Sequence, residues 1–162
     1  MIIKNKKLMS KVSKLRLKNK KVVFTNGCSD ILHLGHQTYL NQSKALGDFL
    51  IVAINSDESV KSLKGDDRPI NNQELRSKNL LNLDCVDEVV VFSEKTPLKL
   101  IEFLLPDVLT KGGDYNYENI VGSNIVEKNG GKVILLPYLK GYSTTTIINN
   151  RRKGLTGETG IG

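Results

Sequence analysis

"KVVFTNGCSDILHLGH", residues 21–36, is the stretch on which the fold turns. Its first half is a run of β-branched and aromatic residues without polar alternation, the pattern of a strand buried on both faces. At Asn26 and Gly27 the run stops, and His33 and His36 then flank Gly35 at the mouth of the next helix. The chain has two histidines, and both stand here. A helix start offers free N–H groups and a dipole that favours an anion. Gly27 permits close backbone approach or a positive φ. A lone histidine in an apolar stretch is usually a core residue, but H-x-G-H after a strand points to a phosphate site.

Working outward, further apolar runs recur at FLIVAI (49–54), EVVVF (88–92), DVLTK (107–111) and KVILLP (132–137). Helical stretches separate them. LGHQTYLNQSKALG (34–47) ends on Gly47, and NNQELRSKNLLNLD (71–84) leads into the third run. TPLKLIEFLLP (96–106) opens with Thr96 as N-cap and Pro97 in the first helical position. GSNIVEKNGG (122–131) closes on paired glycines, and STTTIINN (143–150) starts with Ser143 as N-cap. This alternation predicts an α/β, Rossmann-like, doubly wound domain whose five-stranded, mostly parallel sheet carries helices on both faces. Ligands of such folds bind beyond the carboxyl ends of the strands.

At 162 residues the chain fits one domain with a proper core. No apolar run is long enough to span a bilayer, and MIIKNKKLMSK lacks the features of a secretory signal. Cys28 and Cys85 are far apart in sequence and form no metal-ligand pair, as expected of a reduced, cytoplasmic protein. The net charge is +7, yet up to Lys21 there are nine basic residues and no acidic one, leaving fifteen basic against seventeen acidic in the rest. The basicity therefore belongs to residues 1–20, read as a helical arm packed on the domain through Leu8, Val12 and Leu15. Residues 21–153 form the domain proper, and 154–162 a disordered tail. A near-neutral body without interleaved exposed aromatics implies neither a nucleic-acid nor a membrane partner.

The other strand ends add polar groups on the same edge. After the second run, Ser56 and Asp57 cap a short helix, and Lys64 and Arg68 surround Gly65 and Pro69 as a clamp for a second phosphate. Arg76 belongs either to that clamp or to a surface ion pair. The fourth run delivers Lys111, Gly112, Gly113 and Asp114, where a flat ring or a phosphate can approach the backbone. Ser143, Thr144 and Thr145 supply hydroxyls at a helix start, a second anion cradle. Neither G-x-x-x-x-G-K-[ST] nor G-x-G-x-x-G is present.

Over about residues 12–150 these segments resemble the cytidylyltransferase-like nucleotidyltransferases. H-x-G-H marks that superfamily, while LKGDDRP, PDVLTKGGDY and STTTII are similar to its heptose 1-phosphate branch. The resemblance implies transfer of AMP from ATP to D-glycero-D-manno-heptose 1-phosphate, giving ADP-heptose and pyrophosphate for a bacterial surface glycan such as lipopolysaccharide core. It implies that His33, His36 and Lys44 act on the phosphates, with Lys44 reaching the β- and γ-phosphates. Thr25, Asn26, Gly27 and Cys28, together with Gly112, Gly113, Asp114, Ser143, Thr144 and Thr145, would bind the nucleotide. Lys64, Arg68 and Arg76 would hold the sugar phosphate. Mg2+ is expected to arrive on the ATP phosphates, with no protein metal site. A separate heptose kinase would act upstream, and relatives form dimers or larger homo-oligomers. Ser29 departs from the family, which usually carries phenylalanine there. Two alternatives stay open: a CTP-dependent enzyme acting on glycerol 3-phosphate or a related phospho-alcohol, and a catalytically silent nucleotide-binding module.

Overall fold

The structure, a computed structural model, describes residues 6–113 and 119–137. Its sheet has five strands: β1 (Val22–Gly27), β2 (Phe49–Asn55), β3 (Glu88–Phe92), β4 (Val108–Gly112) and β5 (Lys132–Leu136). They lie in the order β3-β2-β1-β4-β5. Every pairing is parallel. The sheet predicted as mostly parallel is thus wholly so. Among the described residues six helices accompany it: α1 (Lys6–Leu17), α2 (Leu34–Lys44), α3 (Asp57–Lys64), α4 (Gln73–Leu81), α5 (Leu98–Leu104) and α6 (Ser123–Lys128).

Successive strand residues point to opposite faces, so a strand without polar alternation must be covered on both. In β1, Val22 and Phe24 face a core shared with Leu8 and Val12 of α1, Leu100, Ile101 and Leu104 of α5, and Val126 of α6. Val23 faces the other core, with Tyr39 and Leu40 of α2 and Leu80 of α4. The result is three layers with the sheet in the middle. Among the described residues no helix is long and apolar enough to cross a membrane.

Caps place the helices. Ser56 and Asn72 accept amides of the first turns of α3 and α4 through their side chains. At α5 the expected Thr96 cap shifts by one residue. Pro97 is the N-cap there, and the Thr96 hydroxyl merely accepts the Leu98 N–H at 3.4 Å. Gly47, after α2, is required by contact: a Cβ there would sit 2.6 Å from Val23 Cγ2 and 2.9 Å from the Lys21 carbonyl oxygen. The third and fourth strands in sequence lie on opposite sides of β1. The chain therefore reverses direction across the sheet at the β1–β4 seam. That seam pairs only Val23 with Val108 and Phe24 with Leu109, and above these pairs the strand ends border a crevice.

Candidate active site

A cleft of about 450 Å³ opens at the carboxyl ends of β1, β2, β3 and β4, which contribute Asn26, Asn55, Phe92 and Gly112 to its lining. Thr25, Gly27, Cys28, His36, Lys64 and Arg68, all expected at the site, line it as well. Gly27 has no positive φ, and a Cβ built on it meets nothing within 4 Å. Its lack of a side chain therefore keeps cleft volume open, the first of the two uses a glycine offered here.

The histidine turn is built from the helix start. His33 is the N-cap of α2, and its Nδ1 accepts the Gly35 N–H at 3.1 Å. In the neutral ring that acceptor role puts the proton on Nε2, which has no hydrogen-bond partner among the described residues. His33 does not line the cleft; its ring lies behind His36, with centroids 3.9 Å apart. Burial lowers the His33 pKa. His36 is lowered to about 4, chiefly by burial, then by His33 and Lys64. Both imidazoles are therefore neutral at pH 7 without a bound anion. Ser29, between the strand and the histidines, has φ 53°, a left-handed conformation that costs a non-glycine residue about 1–2 kcal/mol.

Across the cleft stands the loop that joins α3 to α4. The Asp30 carboxylate, 8 % exposed, lies 3.7 Å from Arg68 Nε. Lys111 reaches from β4 to the Asn26 carbonyl oxygen at 3.3 Å. Burial pushes its ammonium down, with the Cys28 thiol acting in the opposite sense. The Cys28 thiol itself donates to Asn55 Oδ1 at 3.7 Å, and neither cysteine is in a disulfide.

Three expected contacts are corrected. Lys44 sits at the far end of α2, eight residues past His36 and so about 12 Å further along the axis. It pairs there with Asp87, which also accepts the Leu50 N–H at the start of β2, so it belongs to the edge opposite the cleft. Arg76 is neither a clamp residue nor a surface ion pair. It is fully buried and donates to the carbonyl oxygens of Asn71, Cys28 and Asn55 and to Asp57 Oδ1. It therefore ties the ends of β1 and β2 to the loop before α4 and does not line the cleft. The Thr25 hydroxyl is 2.7 Å from the Tyr39 hydroxyl and donates to the Thr110 carbonyl oxygen, which leaves only its backbone for the cleft. Gly113 has φ 79° and donates its N–H to Leu136, closing the β4 end. Asp114, Ser143, Thr144, Thr145 and the tail 154–162 lie outside the described residues.

A family model described as cytidylyltransferase-like matches residues 24–150, which span the histidine turn, the clamp and all five strand ends. The chain belongs to the cytidylyltransferase-like family. Over 147 residues it is 52% identical to the bifunctional protein HldE of Marinomonas sp. (strain MWYL1), covering 91% of this chain and 31% of that relative's length. The lipopolysaccharide core biosynthesis protein from Thermoplasma volcanium GSS1 superposes with a TM-score of 0.60 at 29% identity, over 74% of this chain and 97% of that one. Pantoate-β-alanine ligase from Francisella tularensis shares the fold, with a TM-score of 0.57 at 18% identity, 91% of this chain and 71% of that one being covered.

Within this cytidylyltransferase-like cleft, Asp30 and Lys95 were not singled out from sequence, and Lys111 was named at its strand end without a role of its own. Lys111 follows a strand in KGGDY, and its place at the switch-point strand was the available signal. Asp30 and Lys95 carry no local pattern that separates them from loop charges.

Proposed function

We propose that the chain is an adenylyltransferase that joins ATP to D-glycero-D-manno-heptose 1-phosphate and releases pyrophosphate. The observation that supports this most is the lining of one crevice. Among the described residues it holds the His36 imidazole and the cations Lys64, Arg68, Lys95 and Lys111 against a single carboxylate, Asp30. Two phosphate-bearing substrates need that excess of positive charge. The heptose assignment draws on the LKGDDRP and PDVLTKGGDY segments, and the Thermoplasma volcanium relative, a lipopolysaccharide core biosynthesis protein, fits it.

In this reading a phosphate oxygen of the sugar attacks the α-phosphorus of ATP. The new P–O bond forms as the bond to the α,β-bridging oxygen breaks, and pyrophosphate leaves with that electron pair. The attacking phosphate is already ionised near neutral pH, so catalysis consists of alignment and charge stabilisation. His36 donates to the α-phosphate in flight, and His33, the N-cap of α2 with its ring 3.9 Å from that of His36, backs the His36 ring. Asn26, Gly27 and Cys28 present backbone to the nucleotide, and Gly112, Gly113, Asp114, Ser143, Thr144 and Thr145 are its further proposed contacts. Lys64 and Arg68 hold the sugar phosphate. Mg2+ rides on the triphosphate and supplies charge neutralisation there. Both oxygens of Asp30 accept backbone amides, of Ile70 and Asn71. A heptose kinase activity supplies the sugar 1-phosphate, and the protein works in the cytoplasm as a homo-oligomer.

The test is pyrophosphate release with ATP or CTP against sugar 1-phosphates and glycerol 3-phosphate. Release with ATP and the heptose 1-phosphate is expected. Preference for CTP with glycerol 3-phosphate would overturn the assignment, and no release with any pair would leave a silent nucleotide-binding module.

A further inference from the structure

We infer that Asp30 is a positioning residue that locks the sugar-phosphate clamp to the nucleotide turn and holds Arg68 over the cleft. The inference rests on the transferase reading for what Arg68 binds. The geometry is specific. Asp30 Oδ2 accepts the Ile70 N–H at 2.9 Å, and Oδ1 accepts the Asn71 N–H at 2.8 Å. The Asn71 side-chain amide returns a bond of 2.7 Å to the Asp30 carbonyl oxygen. Three bonds therefore join the irregular turn after β1 to the irregular loop before α4, forty residues apart in sequence.

Neither segment is held in place by a sheet ladder. Residues 28–33 and 65–72 lie outside the strands, and bonds that involve a side chain link them. Arg76 ties the same two segments from beneath, through the Cys28 and Asn71 carbonyls. Asp30 does so at the cleft, where it also faces Arg68. At 3.7 Å the pair attracts, but Arg68 Nε forms no hydrogen bond. The carboxylate thus restrains the guanidinium by charge, without a hydrogen bond to Nε. A carboxylate whose lone pairs are spent on amides repels an incoming phosphate less than a bare one, so its presence in an anion site is tolerable.

Asp30→Asn keeps the shape and one acceptor oxygen but removes the charge. We expect the KM for heptose 1-phosphate to rise roughly tenfold, the effect of losing one charge-assisted hydrogen bond. The KM for ATP should stay within about twofold, because Arg68 is the element released and the nucleotide turn remains held by Arg76. In an Arg68→Ala background the same substitution should add nothing to the sugar-phosphate KM. A parallel rise in both KM values, or full additivity with Arg68→Ala, would overturn the inference. If the unsubstituted protein releases no pyrophosphate, the transferase reading fails by itself. The lock is then judged by amide exchange at Ile70 and Asn71, which Asp30→Asn must accelerate; unchanged exchange sinks it.

Discussion

His36 shows how one side chain is prepared for a charge it does not yet carry. Burial, the His33 ring and the Lys64 ammonium hold it neutral, so it reaches an incoming phosphate as a single N–H donor with little competing water. His36→Ala should retain the fold, since the residue lines the cleft and is not part of either core, and should lower turnover by roughly 10²–10³-fold. Circular dichroism with a pyrophosphate assay checks both halves of that statement. Arg76 is the opposite case, a charged residue whose importance is structural. Arg76→Lys keeps the charge but not the planar fork, and leaves several of its four acceptors unserved. A loss of about 3 kcal/mol or more in urea unfolding is expected. A loss below about 1 kcal/mol, the range of an exposed pair, would show that the hub is not what holds the loops.

Among elements, α2 joins the two edges of the sheet. It starts at the cleft on His33 and ends at the opposite edge on Lys44 and Gly47. Gly47→Ala would force a Cβ against the Lys21 carbonyl and Val23, overpacking that costs about 1–3 kcal/mol. Because the strain falls at the edge away from the cleft, turnover per folded molecule should be unchanged; chemical denaturation and kinetics together check this. The elements were legible in sequence to within a few residues because β-branched runs and helical spacings are local signals. EVVVF became β3 without adjustment, and the clamp helix began at Ser56 as its capping chemistry required. Lys44 was misplaced because sequence proximity to His36 says nothing about the axial distance that a helix inserts between them.

For the whole molecule, the same histidine couples the site to stability. His36 has a folded pKa of about 4 against an ordinary value of 6.5. Between those values the unfolded chain binds the extra proton, so its contribution is complete above pH 6.5 and is lost as pH falls toward 4. Unfolding midpoints measured across that window should fall for the parent protein and fall less for His36→Gln. An equal fall in both would place the acid sensitivity elsewhere. At this scale the sequence announced that polar groups would gather beyond the strand ends, because a parallel sheet aligns those ends on one edge. It could not announce which of them would face the cleft. Thr25 turned inward, Arg76 went beneath and Asp30 moved into contact with the clamp, each decided by contacts between segments far apart in the chain.

The inward turn of Thr25 has one more result. Thr25, Tyr39, Thr110 and Ser43 form a run of buried hydroxyls, with oxygens 2.7, 3.0 and 2.9 Å apart in succession. With one proton per hydroxyl, the run is satisfied when Ser43 donates to Thr110, Thr110 to Tyr39, Tyr39 to Thr25, and Thr25 to the Thr110 carbonyl. These groups join β1, α2 and β4 where the sheet has only two paired positions along its central seam. An apolar seam that short tolerates a slip of its partner strand, whereas a slip here would strand several hydroxyls in a dry interior. The polar thread thus acts as a combination lock on strand alignment, and the crevice above it inherits its shape from that one permitted setting.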